Sequence, residues 1–383
     1  MSEPPQEPLR ILAVSEVWQG SNAYAFVRAF RRAGHSVQVL ADETFQPTGW
    51  KNPLLRALRR AAAPLIVKDF TAAVKNACET FRPHLLFVFK GVMVTAEAIK
   101  LAQRHGAVAI NFWPDVSFQV HGGLIPQALP CYDWIFTTKT FGIADIASQL
   151  GVTAASYLPH GFDPETHRPL QLSEDDRKTY ECDASFIGAW SPHKERLIAA
   201  LLRIHPRINL KIWGVYWTKS TDPMVLPAII DRPVLGDEYA KAIVASKINL
   251  AILSEVRRGA SEGDNTTSRT FHIPGAGGFM LHQRTDEVAQ FFEDGKECAM
   301  FSSAEEMADK VHYYLDHEDE RLHIAAAGRA RSIASGYAID DRAKVVVERA
   351  RRLLAKRHVR DIAQSATVGD PHPPQDANCE SKH

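Results

Sequence analysis

The sequence predicts an α/β protein of two domains, each built on a doubly wound parallel sheet, that face each other across a cleft. Three observations lead to this fold class. The chain has 383 residues, which is too long for one compact core and suits two domains of ordinary size. Short apolar runs alternate with helical patterns in both halves. A proline-rich segment, 158–170, separates the halves and is typical of a linker.

The first half opens with the unit from which such sheets are built. An apolar run at 10–14 is followed by a glycine-containing loop, a helical pattern that ends at Gly34, and a second apolar run at 36–40. The later runs are apolar almost without interruption, which indicates strands covered by helices on both faces. We expect these further strands at 84–89, 108–112, 133–137 and 155–158.

The same alternation resumes after the polar stretch 171–181, which we assign to the linker. Strands are expected at 184–188, 210–213, 247–253 and 278–281, and helices at 194–203 and 304–315. The prediction is therefore a first domain over 1–168, a second over 169–335, a helix over 336–360 that crosses back onto the first domain, and a disordered tail over 361–383.

Composition excludes several classes of protein. Lysine plus arginine equals aspartate plus glutamate at 45 each, so no net field attracts nucleic acid. Five cysteines, an odd number without a CxxC pair, fit a reducing cytoplasm. No run approaches the ~20 apolar residues of a membrane span. The mixed basic and apolar stretch 51–68 leaves two interpretations open: peripheral contact with anionic lipid, or an ordinary surface helix interrupted at Pro64.

The segment 264–278 holds the richest set of candidate binding residues. It combines a Ser/Thr loop, Arg269, a short helical stretch and the glycines Gly275, Gly277 and Gly278. Glycines let a backbone approach a phosphate closely, and arginine can grip a diphosphate with two parallel hydrogen bonds. The alternative is a helix end whose glycines only make the turn. The residues alone leave both interpretations open.

Residues 265–281 resemble the core motif of the GT-B glycosyltransferases, and in particular the CgeB-like branch near glycosyltransferase family 4. The segments 158–163, 184–196, 236–250 and 291–315 resemble other motifs of that branch, in the same order. The resemblance implies two Rossmann-like domains, the first binding the acceptor and the second the nucleotide sugar. It further implies transfer of a sugar from a UDP- or GDP-linked donor to a glycan, lipid or protein acceptor, with retention at the anomeric carbon. No DxD-like pair is present, so neither a metal nor another cofactor is expected.

The resemblance also assigns roles to individual residues. Arg269 would contact the donor diphosphate, helped by Thr267 or Ser268. Lys194 or Arg196 would neutralise the leaving diphosphate, a role that fixed cations must take where no metal does so. For these last two residues a solvated helix face remains the alternative.

The same motif departs from the family pattern at one position. The family carries a glutamate for the ribose hydroxyls where this chain has His272, whereas Asp264 stands where related enzymes keep their other carboxylate. The glycine turn 275–278 would pass beneath the nucleotide. Imidazole can bond a hydroxyl but supplies no fixed negative charge at neutral pH. Two further functions stay open: a non-catalytic protein that binds a nucleotide sugar or glycan, which His272 suggests, and a nucleotide-sugar epimerase, which shares the two-domain architecture.

Candidate acceptor contacts lie in loops that follow strands of the first domain. Trp18, Ser21 and Asn22 follow the first strand, and Asp115 follows the run at 108–112. Asp115 could orient or deprotonate the acceptor hydroxyl, or it could simply cap a turn. His121, in a nearby glycine-containing loop, is a weaker candidate.

Overall fold

The structure, a computed structural model, describes residues 7–45, 53–254 and 257–367. It contains two six-stranded sheets whose strand pairs are all parallel, with strand order β2-β1-β3-β4-β5-β6 in the first and β12-β11-β10-β7-β8-β9 in the second. The first sheet consists of β1 (Arg10–Ser15), β2 (Ser36–Ala41), β3 (Leu85–Phe89), β4 (Val108–Trp113), β5 (Trp134–Thr137) and β6 (Ala155–Tyr157). The second consists of β7 (Cys182–Ile187), β8 (Leu210–Trp213), β9 (Ile229–Ile230), β10 (Ser246–Ala251), β11 (Met280–Gln283) and β12 (Ala299–Phe301). The α/β fold class predicted from the sequence is confirmed.

Helices cover both faces of each sheet, which is why the strands are apolar along their whole length. Those of the first half are α1 (Asn22–Arg32), α2 (Asp42–Phe45), α3 (Pro53–Phe81), α4 (Ala96–Arg104), α5 (Leu124–Ala128) and α6 (Gly142–Leu150). Those that follow are α7 (Glu174–Tyr180), α8 (Pro192–Ile204), α9 (Asp237–Ala245), α10 (Arg269–Gly275), α11 (Asp286–Phe291), α12 (Ala304–Asp316), α13 (Glu318–Ala334) and α14 (Ile339–Thr367).

Helix α14 packs on the first sheet although it follows the second domain in the chain. Val346, Val347 and Ala350 are buried in the same core cluster as Phe26 of α1. Each of the two valines contributes roughly 1.5–3 kcal/mol when fully buried, so this contact anchors α14 on the first domain.

The two chain crossings between the domains lie side by side. The backbone N–H of Phe162 donates to Tyr337 O at 3.0 Å, and that of Ile339 donates to Phe162 O at 2.8 Å. Gly161 is required there, because an added Cβ would lie 2.9 Å from the Tyr337 carbonyl oxygen. The two segments that connect the domains are thus hydrogen-bonded to each other.

Three predictions about local structure were wrong. The polar stretch 171–181 contains α7, which begins with a capping box between Ser173 and Asp176. Pro64 does not interrupt α3; it lies on the exposed side of the helix, where water can satisfy the carbonyl that loses its partner. The tail does not begin at 361, because α14 continues to Thr367; residues 368–383 lie outside the described part of the chain.

Residues 51–52 of the basic and apolar stretch also lie outside the described residues. Within the described ranges, no helix is long and apolar enough to cross a bilayer.

Candidate active site

A cavity of about 670 Å³ opens between the two domains. Its first-domain wall is formed by loops that follow β1, β3, β4 and β5, and its second-domain wall by the turn after β7 and the start of α10. The carboxyl ends of parallel strands meet here from both sheets, which is where open α/β sheets bind ligands. The volume lies within the usual range for small-molecule sites.

The second-domain wall contains three buried polar atoms without a hydrogen-bond partner among the described residues. They are Thr267 Oγ1, Arg269 Nε and His272 Nε2. All three residues line the cavity, as does Ser268, the residue that precedes α10. Because nearly all buried polar groups in proteins are paired, three unpaired ones on one short segment point to a ligand that completes them.

Arg269 is held rigidly at the floor of the cavity. Its Nη2 donates to Ile252 O at 2.6 Å and its guanidinium lies 5.0 Å from the centre of the Phe186 ring. Burial lowers the pKa of this guanidinium. Gly188 passes directly over it, and a Cβ there would lie 2.7 Å from Arg269 Nη1. The turn after β7 therefore requires glycine to leave room for the arginine.

The two cations predicted on α8 do not line the cavity. Lys194 is buried behind the wall, where Nζ donates to Ala189 O at 3.0 Å and lies 5.7 Å from the centre of the Phe186 ring. Burial, together with the nearby charge of Arg269, lowers the pKa of Lys194 to about 7. Arg196 is exposed on the outer surface of α8. Lys194 thus contributes to the field of the site from behind Phe186, and Arg196 does not face the cavity.

The glycine turn 275–278 does not pass beneath the cavity, which corrects the prediction made from the resemblance. These glycines lie at the opposite end of α10, about 10 Å from its start for a seven-residue helix. A Cβ at Gly275 would lie 2.5 Å from the Phe162 ring, and one at Gly278 would lie 2.5 Å from Ile243. Gly277 has a φ of +84°, which favours glycine. Turn geometry and close packing explain all three glycines.

Asp264 lines the cavity and pairs with a cation from the other domain. Lys139, which follows β5, places Nζ 2.6 Å from Asp264 Oδ1 and donates to Thr266 O at 2.9 Å. Both side chains are largely buried, so the ion pair fixes the loop before α10 against the first domain. Asp264 is therefore not a free carboxylate.

His272 is stacked on another histidine. Its ring lies 3.7 Å from that of His167, centre to centre, with Tyr239 packed edge-on against both. Burial, and then the charges of His167 and Arg269, hold the pKa of His272 well below its usual value. Burial also lowers the pKa of His167 to about 3. Both rings are therefore neutral at physiological pH, and His167 accepts a hydrogen bond at Nδ1 from the backbone N–H of Asp163.

Asp115 lies on the first-domain wall between two basic groups. Its Oδ2 is 2.8 Å from Lys90 Nζ and 2.7 Å from His121 Nε2. Burial acts to raise the pKa of Asp115, but the hydrogen bond with His121 and the charge of Lys90 outweigh it and hold the pKa below its ordinary value. Asp115 is thus an ionised, oriented carboxylate and a weak proton acceptor at neutral pH.

The three candidates after β1 differ in their roles. Trp18 and Asn22 line the cavity with accessible side chains. Ser21 also borders it, but its hydroxyl accepts from the N–H groups of Ala23 and Tyr24 and so caps α1. The capping role explains Ser21 without a ligand.

Sequence reasoning missed several residues of the cavity wall, among them the polar residues Lys90, Lys139, His167 and Tyr239. The two lysines carried a usable signal, since each lies within two residues of the end of a buried strand and strand ends converge on the cleft. The other two carried none, because a histidine in a linker and a tyrosine on a helix are ordinary.

Part of the chain matches a known protein family. Residues 192–348, less than half of the chain, match the profile of a family described as "Glycosyl transferase-like". No curated protein sequence matches the chain.

Solved structures of the same architecture cover most of the chain. Sucrose-phosphate synthase from Thermosynechococcus elongatus superposes with a TM-score of 0.61 at 12% identity, over 91% of this chain and 100% of that one. HepE from Anabaena in complex with UDP-glucose gives 0.56 at 11% identity, over 89% and 99%. UDP-GlcNAc 2-epimerase from Neisseria meningitidis bound to UDP-GlcNAc gives 0.52 at 12% identity, over 89% of this chain and 99% of that one.

At these identities the likeness establishes the fold alone. The chain has the GT-B fold, two Rossmann-like domains that face each other across a cleft, and residues 192–348 of its second half resemble the glycosyltransferase-like family. The GT-B fold expected from the resemblance is confirmed.

Proposed function

We propose that the protein is a glycosyltransferase that binds a nucleoside-diphosphate sugar, UDP- or GDP-linked, in the interdomain cavity and transfers the sugar to an acceptor hydroxyl. One observation carries the proposal: the unpaired polar atoms of Thr267, Arg269 and His272 converge on one wall of that cavity. The match of residues 192–348 to a glycosyltransferase-like family supports the same assignment.

The donor would lie against the second domain. A diphosphate beside Arg269 and Thr267 would supply acceptors for their unpaired donor groups, and charge-assisted hydrogen bonds of this kind are about twice as strong as neutral ones. Lys194, from behind Phe186, would add positive charge as the leaving diphosphate gains charge, because a nearby anion raises the pKa of a lysine.

The finer features of the proposal come from the resemblance. They are membership of the CgeB-like branch, transfer of a hexose, retention at the anomeric carbon, and catalysis without a divalent metal. Residence in the cytoplasm also belongs to the proposal, and the free thiols of Cys78, Cys131, Cys182 and Cys298 support it.

Thr267 offers the cleanest test of the donor site. Its hydroxyl bonds nothing in the described structure, so Thr267→Val should leave thermal stability unchanged and weaken UDP or GDP binding about ten-fold, the loss of one charge-assisted hydrogen bond. Thr71→Val is the matched control, because that hydroxyl donates to Val67 O at 2.9 Å within α3 and does not line the cavity. The control should leave nucleotide affinity unchanged. Unchanged nucleotide affinity in Thr267→Val would remove this wall from the donor site.

Arg269→Ala should also weaken nucleotide binding more than ten-fold. It is the less selective variant, because it strands the Ile252 carbonyl that Arg269 bonds and so lowers stability as well.

The nature of the reaction is decided by its products. Incubation with UDP- and GDP-sugars, followed by NMR, separates sugar transfer from the epimerase function favoured by the match to UDP-GlcNAc 2-epimerase. An isomerised nucleotide sugar would replace the proposal with an epimerase, and binding without turnover would replace it with a non-catalytic protein. Addition of EDTA in the same assay tests whether transfer needs a metal.

A further inference from the structure

The loop after β1 presents an oriented indole to the cavity. The side chain of Trp18 is an exposed large aromatic group, with 42% of the residue surface accessible, and it lines the first-domain wall. Its Nε1 donates to Glu16 Oε2 at 2.8 Å, and the same carboxylate oxygen accepts from Ser21 Oγ at 3.3 Å. These bonds hold the ring in one orientation, so its free face is a fixed surface.

The loop that carries Trp18 is itself well anchored. The backbone N–H of Val17 donates to Glu43 Oε1 at 2.7 Å. Gly20, with a φ of +90°, packs so closely on the second domain that a Cβ would lie 2.9 Å from the backbone nitrogen of Gly236. A surface that is ordered before its ligand arrives loses little entropy on binding.

The same cavity holds a second oriented group, the Asp115 carboxylate. Its Oδ2 makes both contacts, to Lys90 and to His121, and Oδ1 takes part in neither. An ionised carboxylate that lines a cavity is a strong acceptor for a ligand hydroxyl.

The indole of Trp18 and the carboxylate of Asp115 together favour one chemical class of acceptor over another. One face of a pyranose ring carries C–H groups that pack against an aromatic ring, and the hydroxyls at its edge donate hydrogen bonds to carboxylates. An alkyl chain would desolvate Glu16 and Asp115 without offering either a hydrogen bond, which is costly. The wall therefore suits a hydroxyl-rich ring better than a lipid tail.

Resting on the proposed glycosyltransferase function, we propose that the acceptor is a saccharide whose ring stacks on Trp18 and whose hydroxyls bond Asp115. Trp18 is then a binding residue for the acceptor, separate from the nucleotide wall on α10.

The test measures saccharide binding in the presence of saturating UDP. Methyl α-glucoside, methyl β-galactoside, methyl α-mannoside, cellobiose and N,N′-diacetylchitobiose form the panel, observed by saturation-transfer NMR and titration calorimetry. Trp18→Ala should weaken binding of the responding sugar at least ten-fold, and Trp18→Phe should retain most of it, while the Kd for UDP changes less than two-fold. Tyr216→Ala is the matched control, an aromatic residue 62% exposed that does not line the cavity, and it should change neither affinity.

Three results would overturn the proposal. The first is UDP binding by the wild-type protein with no saturable response to any sugar of the panel. The second is equal saccharide affinity in the wild-type protein and Trp18→Ala. The third is binding of alkyl glycosides that strengthens with chain length whatever the sugar, which would indicate a lipid acceptor. Saccharide binding by a protein that binds neither UDP nor GDP would instead leave the Trp18 site intact and refute the nucleotide-sugar function.

Discussion

The ion pair between Lys139 and Asp264 predicts a large loss of stability when one partner is removed. The Nζ–Oδ1 distance is 2.6 Å, and the side chains are only 3% and 12% exposed. Lys139→Met keeps most of the side-chain volume but leaves the Asp264 carboxylate without its partner in a nearly dry site. Breaking a buried pair in this way costs about 3–5 kcal/mol, and we expect about 3 kcal/mol because Asp264 keeps some contact with solvent.

The measurement is the free energy of unfolding in urea, followed by tryptophan fluorescence. Lys178→Met is the control, since Lys178 lies 3.0 Å from Asp175 with both side chains mostly exposed, and its loss should cost less than about 1 kcal/mol. The double variant Lys139→Met/Asp264→Asn should recover part of the loss, because no uncompensated charge remains. A cost for Lys139→Met no greater than that for Lys178→Met would refute the view that this pair holds the domains together.

Three further predictions follow from burial and backbone geometry. Lys194→Met should raise the free energy of unfolding at pH 7 by a few kcal/mol, because the pKa of Lys194 is about 7 in the folded state and higher in the unfolded state. The same variant should bind UDP more weakly in titration calorimetry. A less stable variant would contradict the cost assigned to this buried amine. Because burial lowers the pKa of His167 to about 3, the unfolded chain binds a proton at this residue before the native chain does. The free energy of unfolding should therefore decrease as the pH is lowered from about 6.5 to 3, by ~1.4 kcal/mol per pH unit for this residue. Urea unfolding of His167→Asn across that range should show a shallower pH dependence, and an unchanged slope would show that His167 is not buried neutral. Gly214→Ala should unfold the second domain or lower the free energy of unfolding by more than about 3 kcal/mol, because a Cβ would lie 2.0 Å from Gly188 O. Gly123→Ala is the control: a Cβ there would meet no heavy atom closer than 4.0 Å, so the melting temperature should be nearly unchanged.

Local sequence patterns were sufficient to predict most strands of the two sheets. The apolar run 84–89, for instance, corresponds to β3, and burial on both faces left a signal that needs no knowledge of other segments. The two-residue β9 and the three-residue β12 were missed, because so few residues carry no periodicity. The polar helix α7 was missed for a related reason: its sequence, 174–180, has little apolar surface to reveal a helical period.

The site was harder to predict than the fold because its contacts join distant parts of the chain. Arg269 could be found from its own motif, and it does line the cavity. The partner of Asp264 could not, since Lys139 belongs to the other domain and a single sequence does not show which residues pair. The glycines near 275–278 were misassigned because phosphate-binding turns and tightly packed helix ends require glycine for the same steric reason.

The histidine at position 272 is better explained by its surroundings than by its motif. A glutamate there would place a second carboxylate in a buried site where Lys139 is already committed to Asp264, so Arg269 would be the nearby cation left to compensate it. It would also lie against His167, a ring that burial keeps neutral and that therefore offers no compensating charge. A neutral imidazole stacks on that ring at no electrostatic cost and still keeps Nε2 available to a ligand hydroxyl. His272, His167 and the Lys139–Asp264 pair thus form one consistent arrangement on the cavity wall. Under the proposed function, the neutral ring of His272 would bond ligand hydroxyls and Arg269 would be the cation that faces the diphosphate.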